Sequence, residues 1–268
     1  MFLNAKNGRV QLGTSGMDYV SFGRGGGALV LLPGLGDGLA TVKGMAAALA
    51  WAYRAYAKAY TVFVFSRKDE LPEGCSTRQM AVDQAEAMRA LGLARADVMG
   101  VSQGGMVAQY LAIDHPELVR RLVLAVTLAG PNETVQNAVS GWIGMANRGD
   151  HRALMTDTAE RSYSQKALKK YRLLYPFLGL VGRPKGYGRF IAQANACVRH
   201  DARRELGRIQ CPTLVIGGGC DRIVGPQAAA ELAGLIRGSR CYIYEGLGHA
   251  AYEEAPDFNE RVLRFLAE

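Results

Sequence analysis

Cysteine is scarce in this 268-residue chain. The five present, Cys75, Cys197, Cys211, Cys220 and Cys241, are scattered and form no Cys-x-x-Cys pair. An odd, dispersed set builds neither a disulfide framework nor a zinc site, so reduced thiols in a cytoplasmic protein are expected. Long apolar runs are missing too. No uninterrupted stretch reaches the ~20 residues that span a bilayer, and the opening MFLNAKNGRVQLG has no apolar signal-peptide core. No membrane attachment is therefore expected. Nucleotide-binding signatures also fail. Gly23-Arg24-Gly25-Gly26-Gly27 precedes an apolar run, where a dinucleotide loop would follow one, and it lacks the Lys-Ser/Thr ending of a phosphate-binding loop.

What remains is an ordinary globular composition, 49% apolar and 21% charged, long enough to bury a large core. The net charge of +8 is unevenly spread. Pro131 to Glu205 holds 13 Lys/Arg against 6 Asp/Glu, leaving the rest of the chain close to neutral. Such a segment can steer anionic substrates, but no nucleic-acid motif accompanies it. A solvated helical surface is expected, with no nucleic-acid partner. The oligomeric state is not legible.

Buried strands read as continuous apolar runs. Ala28–Leu32, Tyr60–Phe65, the run closing at Gly100, Arg121–Leu128, Thr213–Gly217 and Arg240–Tyr244 fit that pattern. Helical periodicity fills the gaps at Ala40–Tyr56, Met80–Leu91, after Ser102, at Gln227–Ile236 and at Pro256–Ala267. This alternation predicts an α/β fold, a mostly parallel sheet with helices on both faces. Arg9–Phe22 reads as a hairpin that adds antiparallel edge strands. After Gly130 the rhythm breaks. Pro131 to about Arg204 lacks strand runs and reads as several helices, including Ser164–Leu174. The expected organisation is core 1–130, a helical lid 131–205, and core 206–268. The lid aromatics Trp142, Tyr163, Tyr171, Tyr175, Phe177, Tyr187 and Phe190 are candidates for an apolar pocket, though most are expected only to hold the lid together.

The chemistry centres on Gly100-Val101-Ser102-Gln103-Gly104, a G-x-S-x-G between strand and helix. In that context the serine sits at the tip of a strained turn, and glycines beside it leave room for the backbone. The following helix aims its first N–H groups, Gln103 among them, at developing negative charge. A serine hydroxyl needs a base, and the base needs an orienting carboxylate. Of the four histidines, His115 ends a helix, and His151 and His200 fall in the lid segment. His249 alone follows a core strand directly, so it is the expected base. Asp221, after the strand Thr213–Gly217, is the expected acid, with Glu133 as the rival position. Asp37 follows an early strand, where an inward carboxylate would repel an oxyanion.

The order Ser102, Asp221, His249, with the loops PGLGDG, GVSQGG, GGGCDRIV and GLGHAAYEE, resembles the α/β-hydrolase superfamily over almost the whole chain. Pro33-Gly34 stands where that family usually has His-Gly. The resemblance implies an α/β-hydrolase fold with a lid inserted after the strand that follows the nucleophile helix. It also implies an oxyanion hole from the Leu35 and Gln103 N–H groups. The function expected is a serine hydrolase that cleaves a small carboxylic ester or lactone through an acyl-enzyme, with no metal or organic cofactor. The compact lid and the stretch GVSQGGMVAQ resemble small esterases and enol-lactonases within that superfamily. Carbon–carbon bond hydrolysis, cofactor-free perhydrolysis and ligand binding with little turnover stay open as alternatives.

Overall fold

The computed structural model describes residues 2–179 and 182–268, apart from the side chain of Leu174. Among the described residues, eight strands form one sheet in the order β1-β2-β4-β3-β5-β6-β7-β8. They are β1 (Lys6–Leu12), β2 (Ser15–Gly23), β3 (Gly27–Leu32), β4 (Tyr60–Phe65), β5 (Ala96–Val101), β6 (Val119–Ala125), β7 (Thr213–Gly218) and β8 (Arg240–Tyr244). β1 and β2 are the antiparallel edge hairpin expected from the sequence, turning at Gly13, whose φ of +60° suits glycine. From β4 to β8 every neighbouring pair is parallel. All six residues of β5 and of β7 are buried, as their apolar runs demand.

The helices in chain order are α1 (Ala46–Ala52), α2 (Thr77–Ala90), α3 (Gln103–Asp114), α4 (Glu133–Asn147), α5 (His151–Ser162), α6 (Gln165–Tyr171), α7 (Tyr175–Leu178), α8 (Gly188–Val198), α9 (Ala228–Leu235), α10 (Ala251–Glu254) and α11 (Phe258–Leu266). Successive strand residues point to opposite faces, and the core divides accordingly. Val30 and Leu32 pack with Met80 and Met88 of α2, Val107 and Leu111 of α3, and Leu232 of α9. Leu29 and Leu31 pack on the other face with Ala46 and Ala50 of α1 and Phe258, Val262 and Phe265 of α11. Each such aliphatic side chain, once buried, contributes about 1.5–3 kcal/mol.

α4 to α8 lie between β6 and β7. Their apolar faces form a third cluster, in which Val135, Trp142, Leu154 and Phe190 meet Leu35, Met106 and Ile223. The insertion thus packs on the loops after β3 and β7 and on the start of α3, at the carboxyl edge of the sheet. Asn132 anchors its start twice: its Oδ1 caps α4 by accepting from Val135 N–H (2.9 Å), and its Nδ2 donates to the Val224 carbonyl (2.7 Å).

Two helix expectations need correction. Alanine content suggested one helix over Ala40–Tyr56, but only Ala46–Ala52 is helical. Thr41 is tied to Asp18 and Val42 N–H to Ser66 Oγ, and Gly44 is left-handed at φ +78°, so the start is held out of the helix. Trp51 at its far end is 61% exposed, whereas Tyr56 is buried. The expected helix Ser164–Leu174 ends at Tyr171 and tightens into a 3-10 turn at Arg172–Leu174. Pro176 has no N–H to return to the Arg172 carbonyl. Leu174, expected on that helix's face, has a side chain outside the described residues.

Candidate active site

Ser102 sits between β5 and α3 with φ 54° and ψ −120°. A non-glycine residue in that conformation costs on the order of 1–3 kcal/mol and must be held by its surroundings. Its N–H donates to the Ala125 carbonyl (2.9 Å) at the end of β6. The flanking glycines are obligatory. A Cβ on Gly104 would fall 1.9 Å from the Leu32 carbonyl oxygen, and one on Gly100 would fall 2.4 Å from the Gly104 oxygen. Val126 follows Ala125 at φ 44°, a strained position for a β-branched residue, and donates its N–H to the Ile216 carbonyl (2.8 Å). A valine closing an apolar strand carries no sequence signal of that conformation.

Asp221 and His249 come from the loops after β7 and β8. Gly218 and Gly219 allow these loops to touch: a Cβ on Gly218 would lie 2.2 Å from the Gly248 oxygen, and one on Gly219 2.9 Å from Glu245 Cα. His249 Nδ1 meets Asp221 Oδ2 at 2.8 Å. Asp221 Oδ1 accepts from the N–H groups of Ile223 (2.8 Å) and Val224 (3.0 Å), so the carboxylate is fixed before it reaches the ring. Asp221 is 2% exposed and His249 8%. With a proton on Nδ1 facing the carboxylate, Nε2 is the acceptor. The insertion steadies this loop, because the Ser162 carbonyl at the end of α5 accepts from Ala250 N–H (2.9 Å).

Ser102 and His249 line one cavity of about 490 Å³, together with Gly34, Leu35 and Gly36. A Cβ on Gly34 would stand 3.3 Å from Ser102 Cβ, so the loop after β3 runs against the serine. Gln103 is fully buried, its N–H opens α3, and its side chain turns to the insertion, donating to the Gln193 carbonyl (2.9 Å). The structure therefore gathers Ser102, Asp221, His249, Leu35 and Gln103. Glu133 starts α4, and His249 pairs with Asp221. Asp37 is buried and engages Arg67 N–H, Arg189 and Gln193.

Of the seven lid aromatics, Trp142, Tyr163, Tyr171 and Tyr175 line the cavity. Tyr187 and Phe190 belong to the apolar cluster beneath it, and Phe177 is exposed. The polar ends of three lining rings are tied to carboxylates: Trp142 Nε1 donates to Asp157 (2.8 Å), Tyr163 OH to Glu253 (2.6 Å) and Tyr175 OH to Glu160 (2.8 Å). Burial, reinforced by the Glu160 hydrogen bond, pushes the Tyr175 hydroxyl up to about 12. The Arg172 guanidinium draws Glu160 down to about 2. The rings thus remain neutral and present apolar faces. Tyr252 and Glu253, which also line the cavity, were not anticipated. Their signal was proximity, since AAYEE directly follows His249.

The other histidines stand apart. His200 is buried between Thr77 Oγ1 (2.9 Å) and Gln109 Oε1 (3.1 Å), and burial pulls its pKa down to about 4. His115 caps the end of α3. Among the described residues no group of three or more His, Cys, Asp or Glu is arranged to hold a metal ion, and no helix is long and apolar enough to cross a membrane.

Known proteins are similar to this chain in sequence and in fold. A pimeloyl-[acyl-carrier protein] methyl ester esterase of Neisseria meningitidis is 30% identical over 168 residues, 59% of this chain and 64% of that protein. The chain therefore spans about 64% of the length of that relative. A putative carbamate hydrolase of Pseudomonas savastanoi is 27% identical over 209 residues, covering 74% of this chain and 77% of the relative. Among solved structures, an enol-lactonase from Burkholderia xenovorans shares the fold with a TM-score of 0.81 at 23% identity, over 97% of this chain and 100% of that one. The family model described as the alpha/beta hydrolase family matches residues 29–260, and the chain belongs to that family.

Proposed function

We propose that the protein is a serine hydrolase of a small, uncharged carboxylic ester or lactone, working through an acyl-enzyme. The observation that carries this reading is the 2.8 Å His249–Asp221 hydrogen bond at the wall of the cavity into which Ser102 opens. In the proposed reaction His249 Nε2 takes the Ser102 proton as Oγ attacks the carbonyl carbon. Asp221 holds the proton on Nδ1 and supports the imidazolium. His249 then protonates the leaving alkoxide, and water, activated by the same nitrogen, releases the acid and restores Ser102. Leu35 opens the 3-10 turn Leu35–Gly38 and Gln103 opens α3, so neither N–H has a partner within its own helix. We assign these two as the oxyanion donors, each supplying about 3 kcal/mol to the transition state.

The segment 131–205 is read as a lid on the core 1–130 and 206–268, since its helices supply the cavity's aromatic wall. The charge of that wall sets the substrate class. Among the described lining residues none is Lys or Arg, and the one charged side chain is Glu253. A carboxylate on the substrate would be desolvated without a Lys or Arg partner among the described lining residues and repelled by Glu253. The esterase and carbamate hydrolase named among the relatives accord with acyl transfer at this serine. Five free cysteines suit a reducing compartment such as the cytoplasm.

A panel of p-nitrophenyl esters tests this reading. Neutral butanoyl to octanoyl groups are expected to exceed carboxylate-terminated acyl groups of equal length by at least ~10-fold in kcat/KM, from the cost of burying an unpaired charge. Equal turnover of the charged esters would overturn the assignment to uncharged substrates. Ester turnover that survives Ser102→Ala would overturn the serine hydrolase itself.

A further inference from the structure

Behind the loop that carries Leu35 lies a buried polar unit that the proposed reaction does not use. At its centre is Arg67, two residues past β4 and 1% exposed. Arg67 Nη2 donates to the Pro33 carbonyl (2.7 Å), and its backbone N–H donates to Asp37 Oδ2 (3.0 Å). The same Asp37 oxygen accepts from Arg189 Nη2 (2.6 Å) and Gln193 Nε2 (3.2 Å), both on α8. Arg189 also donates to the carbonyls of Asp37, Arg67 (2.9 Å) and Lys68 (3.2 Å). Gln103 completes the unit through its bonds to the Gln193 carbonyl (2.9 Å) and Cys197 Sγ (3.2 Å).

This unit grips both ends of the oxyanion loop and the residue after the serine. Pro33 and Asp37 bracket Leu35, and Arg67 is bonded to both. Stability alone is a poor reason for such a device, because a well-packed apolar side chain commonly does as well as a buried guanidinium. The unit also holds five buried polar atoms without a hydrogen-bond partner among the described residues: Asp37 Oδ1, Arg67 Nε and Nη1, Gln103 Oε1 and Gln193 Oε1. Two of these atoms donate and three accept, a set that bridging water can satisfy. What the arrangement fixes is direction. Arg67 holds the Pro33 carbonyl and the Asp37 carboxylate, so the loop that carries the Leu35 N–H is anchored on both sides of it.

We propose that Arg67, held by Asp37, is a positioning residue for the oxyanion hole, setting the Leu35 N–H while α8 holds Gln103 through the same unit. This rests on the reading of Leu35 and Gln103 as oxyanion donors. It further ties the insertion to the reaction, since Arg189 and Gln193 reach the loop from α8.

The test is Arg67→Met and Arg67→Lys, with kinetics on a neutral p-nitrophenyl ester and affinity for an alkylboronic acid that forms a tetrahedral adduct on serine. Misdirecting one donor by about 1 Å predicts a ~10- to 100-fold fall in kcat for Arg67→Met with KM within about 2-fold. Boronate affinity should fall by a similar factor, and Arg67→Lys, which keeps a donor for Pro33, should recover part of both. A folded Arg67→Met with wild-type kcat and boronate affinity would overturn the proposal, as would a loss confined to KM. If Arg67→Met does not fold, the double variant Arg189→Met/Gln193→Met, which removes both α8 side chains from the Asp37 carboxylate, is expected to lower kcat and boronate affinity together. Wild-type values in that variant would overturn it equally. Absence of boronate binding and of ester turnover in the wild-type protein would instead refute the hydrolase reading beneath it.

Discussion

Asp221→Asn offers a sharp perturbation because the carboxylate's three bonds dictate how the amide must sit. Oδ1 accepts two backbone N–H groups, from Ile223 and Val224, at 2.8 and 3.0 Å. An asparagine oxygen is needed there, since an NH₂ facing two donors would leave all three unsatisfied. The amide nitrogen must then face His249 Nδ1 at the place of Oδ2, 2.8 Å away. Nδ1 becomes the acceptor, its proton moves to Nε2, and the ring can no longer take a proton from Ser102. Wrong-tautomer losses of this kind reach ~10⁴ in kcat. At about 1.36 kcal/mol per decade, that is roughly 5 kcal/mol of the barrier. The fold should survive, because the side chains are nearly isosteric. The assay is kcat on a neutral p-nitrophenyl ester, with a thermal melt alongside. Adding His249→Ala to Asp221→Asn should cost little more, since the residues act as a unit. A folded Asp221→Asn within 10-fold of wild type would refute the reasoning and turn attention to Glu133 as the acid.

Acid should destabilise the protein through His200, whose folded pKa lies near 4 against 6.5 because burial disfavours its charged form. The unfolded state therefore binds its proton first, so stability is full above about pH 6.5 and falls as pH drops towards 4. The loss is at most ~3 kcal/mol, from 1.36 kcal/mol per unit. Urea melts between pH 7 and 4 should show a shallower decline for His200→Gln than for wild type, and parallel declines would contradict the assignment. Two glycines make an opposed pair. Gly104→Ala should cost about 3 kcal/mol or more, because its Cβ meets the Leu32 oxygen at 1.9 Å. Gly141→Ala, inside α4 with nothing within 4 Å of the new Cβ, should stabilise by about 0.5–1 kcal/mol. Thermal melts that rank them the other way would refute the geometry.

The sheet was legible because its inner strands are buried on both faces, so ALVLL and TLVIG read as strands without help from alternation. The elbow was legible because a change of period surrounds Ser102. Histidine scarcity and strand-exit position singled out His249 and Asp221. What stayed hidden depends on contacts distant in sequence. Val126 reads as strand while lying at φ 44°. Alanine propensity overstated α1, since side-chain bonds from Thr41 and to Val42 decide its start. Arg67, in a polar stretch after β4, reads as a surface residue. Its burial follows from α8 closing over it, and the sequence places α8 more than a hundred residues away. The cavity wall divides the same way: four lid aromatics were expected candidates, while Tyr252 and Glu253 arrive from the short helix α10.

The central claim is that Ser102 becomes acylated, and intact-protein mass spectrometry tests it most directly. The protein is mixed with a p-nitrophenyl ester, quenched within milliseconds and weighed both intact and after digestion. The account predicts one acyl adduct per chain, on the peptide containing Ser102, formed with a burst of p-nitrophenol of equal stoichiometry and absent from Ser102→Ala and His249→Ala. Turnover with no adduct on Ser102, or an adduct on another residue that tracks the rate, would contradict it.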